Sequence, residues 1–97
     1  MLIKVRLVFF MQKIFDAVDK HRQLILDAER YIWQNAETGY KEFKTNAYMS
    51  KKFEELGYTL VKPNDITGFY TVFDTGKKGP EILVLAELDS IICPAHP

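Results

Sequence analysis

The chain has 97 residues, enough for one small domain. Its 13 Lys and Arg balance 13 Asp and Glu, so no net field draws in nucleic acid or an anionic membrane. Apolar residues make up 47% and charged residues 27%, which excludes a disordered chain, while a single cysteine excludes an internal disulfide framework and fits a reducing, cytoplasmic setting.

The first ten residues read MLIKVRLVFF. Lys4 and Arg6 break the apolar run, so it forms neither a secretory signal core nor a membrane span of about 20 apolar residues. Residues 1–10 are read as an uncertain N-terminal extension, a short strand or a frayed arm, with Met11 an alternative start. Residues 11–97 form the body of the protein.

A long helix follows. Ile14, Val18, His21, Ile25, Ala28 and Ile32 recur at steps of three and four, joined by Ala17, Leu24 and Tyr31. That spacing draws one apolar stripe along a helix, with Asp16, Asp19, Lys20, Gln23, Asp27 and Arg30 opposite. A second helix runs to Gly57, a residue that adopts the left-handed conformation of a helix end without a Cβ clash. Its start is placed at Thr45, acting as N-cap, or at Glu42. Met49, Phe53 and Leu56 make its buried side.

Three strands are predicted next: Tyr58–Val61, Phe69–Phe73 and Glu81–Leu88. The turn-rich run Gly76-Lys-Lys-Gly-Pro80 suggests a hairpin between the last two. The run EILVLAEL is the most apolar in the chain and suggests a strand covered on both faces. No closing helix follows it, so the sequence looks cut. An exposed apolar strand would also pair with another chain, which favours self-association.

Chemistry is sought at the end of that last strand. Glu87 and Asp89, two residues apart, fall on one side of a strand. Carboxylates there could bind a metal or orient an imidazole ligand; equally, Asp89 could cap a turn and Glu87 be solvated. Cys93 and His96 lie close by, but no second pair stands at zinc-ribbon spacing. Cys93 also reads as a small buried thiol, and His21 as a buried or half-buried histidine of the stripe with a local partner. Ser90 lacks a nucleophile elbow, and no phosphate-binding glycine loop is present. Phe69, Tyr70 and Phe73 have no basic patch beside them that would suit stacked bases. Tyr31, Trp33, Tyr40 and Phe43 read as packing residues around the interhelical loop.

The order of these motifs resembles a known family. Asn35-Ala-Glu-Thr-Gly-Tyr-Lys-Glu42-Phe-Lys-Thr45, a helix closing on Leu56-Gly57, Ile66-Thr-Gly68, the Gly79-Pro80 turn and the apolar run ending Glu-Leu-Asp89 follow one another. Together they resemble the opening of the zinc metallopeptidases that include aminoacylases, carboxypeptidase G-type enzymes, hippurate hydrolases and indole-acetyl-amino-acid hydrolases. Ala36 departs from the family's usual proline.

The resemblance implies an α/β fold: the N-terminal part of an α/β/α catalytic domain, two helices then three strands of a mixed sheet, incomplete over residues 11–97. It implies metal-dependent hydrolysis of an amide bond in N-acyl amino acids or peptides, with zinc or another divalent metal in the full-length enzyme. Asp89 matches the Asp that orients a metal ligand. Glu87 stands where the family places His or, in the amidohydrolase branch, Asp. Cys93 does not match the branch's Cys-Gly-His cysteine, because neither Gly nor His follows it. No metal ligand is assigned, and the segment alone is expected to bind no metal and to be inactive. The implied partners are a small N-acyl amino acid or peptide substrate and, for the full-length enzyme, a second copy; neither nucleic acid nor membrane is among them. The alternative is a small non-enzymatic interaction module that pairs through its exposed strand.

Overall fold

The computed structural model describes residues 2–95, with side chains described from Phe10 onward. It contains three helices: α1 (Leu2–Lys20), α2 (Arg22–Gln34) and α3 (Phe43–Glu55). They fall into two compact units, one reaching to Tyr31 and the other starting at Ile32.

In the first unit a strand or frayed arm is expected over residues 1–10; residues 2–10 are helix instead, continuous with the stripe that follows. The single predicted helix is divided at His21. Its N–H is shared between the carbonyls of Ala17 (3.2 Å) and Val18 (3.1 Å), and Ile25 N–H then returns to His21 O at 3.1 Å. Hydrogen bonding thus carries across the junction with one locally tightened turn. His21 is exposed, neither buried nor half-buried. With Phe10, Ile14, Ala17, Val18 and Ile25 it lines an apolar groove of about 400 Å³. No helix among the described residues is long and apolar enough to cross a membrane.

The second unit is organised by α3. Thr45 is not its N-cap: the helix begins at Phe43, with Glu42 at the cap position, and Thr45 lies fully buried in the first turn. The helix end is as the sequence suggested. Gly57 takes φ +92°, its N–H bonds Glu54 O (2.9 Å), and Tyr58 N–H bonds Phe53 O (3.1 Å). This pair of bonds is a Schellman motif, which satisfies the last helical carbonyls. The Phe53 and Tyr58 rings close it from the side at 5.7 Å, and Phe69 packs edge-on against Phe53 at 5.2 Å. Leu56, expected in the core, is exposed, and Met49 and Phe53 are only half-buried.

The predicted mixed sheet is absent, so the expectation of two helices and three strands is corrected to three helices with no strand among the described residues. A strand exists only where a partner supplies its hydrogen bonds. Here the first two candidates meet at one antiparallel bridge, Val61–Tyr70, with N–H to O distances of 2.8 and 3.0 Å. The Thr71 hydroxyl, not a ladder N–H, takes the carbonyl of Thr59 (2.8 Å). Beyond Phe73 the chain turns through side-chain bonds, Gly76 N–H to Asp74 Oδ1 (2.7 Å) and Lys77 N–H to Thr75 Oγ1 (3.3 Å). No hairpin follows: no backbone hydrogen bond among the described residues involves residues 81–89.

Candidate functional site

The buried residues of the second unit are polar. Glu42, Thr45 and Ser50 are buried, and no apolar side chain among the described residues is. Burying polar groups is tolerated when partners satisfy them; the Glu42 carboxylate has such partners, whereas the Thr45 and Ser50 hydroxyls have none among the described residues.

Glu37 supplies the cap that Thr45 was expected to provide. Its Oε1 accepts Lys44 N–H at 3.0 Å and its Oε2 accepts Thr45 N–H at 2.9 Å. Both amides belong to the first turn of α3 and have no partner inside the helix. A carboxylate there also opposes the positive end of the helix dipole. These contacts hold the Glu37 carboxyl below its ordinary value of 4.5, the bond from Thr45 N–H contributing most. The Thr45 hydroxyl favours the same charged form without reaching good hydrogen-bond geometry.

Glu42 reaches the other way. Its carboxylate accepts the Thr67 hydroxyl and the Tyr40 N–H, the latter at 2.8 Å. Both lower its pKa, the Thr67 bond being the largest cause. Tyr40 sits in the left-handed region at φ 63°, a strained choice for a residue with a Cβ, and its N–H is pinned by Glu42. Asn46 Oδ1 accepts Gly68 N–H at 3.0 Å, where Gly68 takes φ +121°. So the loop before α3, the helix and the Thr67–Gly68 loop are joined by polar side chains.

The last segment joins at Ser90, whose N–H donates to Glu37 O at 2.7 Å. This places Asp89, the leading candidate from the sequence, beside the Glu37–Glu42 loop. Asp89 Oδ2 and Glu42 Oε1 lie 4.0 and 3.9 Å from the position that a Cβ on Gly39 would occupy. Asp89, Glu87 and Cys93 are exposed; the buried-thiol reading of Cys93 is overturned. His96 lies outside the described residues.

Among the described residues no three His, Cys, Asp or Glu side chains stand together as metal ligands. Sequence reasoning overlooked the roles of Glu37, Asn46 and Thr67. The faint signal was Glu37 and Glu42 five residues apart, directly before a helix whose own start lacks a Ser, Asp or Asn.

Comparison with known proteins adds one relationship. No family model matches the chain, and no solved structure does. The chain is 31% identical over 87 residues to one of the subunits of the p-aminobenzoyl-glutamate hydrolase of Escherichia coli (strain K12), a match covering 84% of this chain and 18% of that relative. The chain thus spans under a fifth of the length of the curated relative it matches. This is a loose link, and what it supports is that the chain is a segment related to a hydrolase subunit.

Proposed function

We propose that this chain is the opening segment of a metal-dependent amidohydrolase that cleaves the amide bond of N-acyl amino acids or peptides. The observation that carries the reading is the 31% identity to a hydrolase whose named substrate, p-aminobenzoyl-glutamate, is an N-acyl amino acid. The ordered motifs from Asn35 to Asp89 support it, because they resemble the opening of amidohydrolases of that kind. Zinc or another divalent ion supplies the Lewis acid in such chemistry. On this reading its ligands come from other parts of the enzyme; among the described residues no three-donor group is assembled.

What this chain contributes is scaffolding and one carboxylate. Glu37 and Glu42 fix the loop that receives Ser90, and that contact sets where Asp89 projects. In the assembled enzyme Asp89 accepts a hydrogen bond from a metal-binding side chain and orients it. Glu87 has no assigned partner and a secondary role. A cytoplasmic location and a homodimeric full-length enzyme belong to the same proposal.

The test is direct. The purified 97-residue chain, dialysed against zinc, is expected to retain no stoichiometric metal and to release no product from p-aminobenzoyl-glutamate. Stoichiometric zinc together with turnover would overturn the assignment of the chemistry to residues outside this segment.

A further inference from the structure

We propose that two copies of this chain associate by antiparallel pairing of residues 77–89 about a twofold axis at Leu83. This goes beyond the hydrolase reading and does not depend on it.

The segment lacks a strand partner within its own chain, among the described residues. Ile82, Leu83, Val84 and Leu85 are each 80–85% exposed. No backbone hydrogen bond among the described residues involves residues 81–89, and none of them has positive φ. The run contains no proline after Pro80, and its apolar residues suit a pleated surface. Such a stretch is a template for pairing with another strand.

Charge selects the occupant and the direction. Lys77 and Lys78 precede the run; Glu87 and Asp89 close it. All four are exposed, and the ion pairs among the described residues lie elsewhere, between Lys51, Lys52, Lys62 and Glu54, Glu55. A parallel in-register pair would set Glu81, Glu87 and Asp89 against their own copies, and like charges directly opposite are destabilising. An antiparallel pair sets the basic end of one copy against the acidic end of the other. Twofold symmetry requires paired residue numbers with an even sum. With Leu83 opposite Leu83, Lys77 falls opposite Asp89 and diagonal to Glu87, at both ends of the pair. The even-numbered face then carries Ile82 opposite Val84 and Pro80 opposite Ala86, all of them apolar.

Sedimentation of the purified chain tests this. Dimerisation is expected in the micromolar range, weakening as salt screens the end charges. Lys77→Glu is expected to raise the dissociation constant about tenfold, because two attractive ends become repulsive. Asp89→Lys alone should do the same, and the Lys77→Glu/Asp89→Lys double variant should recover most of the loss. Hydrogen exchange of the wild-type chain gives a check that needs no variant: alternate amides between residues 79 and 88, those that face the partner strand, should gain protection as concentration rises. A chain that stays monomeric at about 100 µM, exchange independent of concentration, or a double variant no tighter than either single one would overturn the proposal.

Discussion

The N–H of Ser90 donates to the carbonyl of Glu37 at 2.7 Å, while the Glu37 carboxylate caps α3 through Lys44 and Thr45. One residue therefore holds both the start of the central helix and the segment carrying Asp89. Stability of the helix and position of the candidate site are coupled through Glu37.

Glu37→Ala is expected to loosen the start of α3, while the backbone carbonyl that receives Ser90 N–H is kept. Two first-turn amides lose their acceptor, so the thermal midpoint should fall by several degrees, read by circular dichroism. Glu37→Gln keeps one acceptor oxygen and should lie between that variant and the wild type. An unchanged midpoint in Glu37→Ala would show that the cap contributes nothing.

Acid should act through the same pair of carboxylates. Glu37 and Glu42 both have pKa values held below 4.5 in the folded chain. Well above 4.5 both are charged in the folded and unfolded states, and their contribution is fully present. As pH falls through 4.5 the unfolded chain takes up protons first, so stability is lost progressively towards the lower folded values. Denaturant midpoints between about pH 6 and pH 3 should show this fall, and Glu37→Gln/Glu42→Gln should flatten it.

Gly57→Ala isolates the helix end. Nothing lies within 4 Å of the added Cβ, so the cost is purely conformational, from φ +92°. The expected loss is about 1–2 kcal/mol by urea titration. A neutral result would mean that the chain relaxes out of the left-handed conformation.

Ser50→Ala should move stability the other way. Its hydroxyl is buried with no hydrogen-bond partner among the described residues. Removing a buried unsatisfied group should gain about 1 kcal/mol. Destabilisation of that size would imply a partner for the hydroxyl.

The parts legible in the sequence are the local ones. The stop of α3 at Gly57 follows from the backbone freedom of one residue, and the existence of α3 from its spacing. The Glu37 cap escaped because it comes from eight residues before Thr45, outside the window in which caps are sought. The sheet was misjudged because apolar, β-branched runs signal fitness for a pleated surface, not a partner. Val61 and Tyr70 found one rung; Glu81–Leu88 found none. Asp89 stands out in the sequence as the end of an apolar run, but only its neighbours Ser90, Gly39 and Glu37 say how it is positioned.

The most direct measurement grafts residues of this chain onto the p-aminobenzoyl-glutamate hydrolase of Escherichia coli, in place of the segment they match, and assays hydrolysis of p-aminobenzoyl-glutamate by the complete assembly. The chimera is expected to retain turnover, and Asp89→Asn within it to lower rate or metal affinity by about 10–100-fold. A folded chimera that turns over no substrate, or one indifferent to Asp89→Asn, would contradict the placement of this chain in that chemistry.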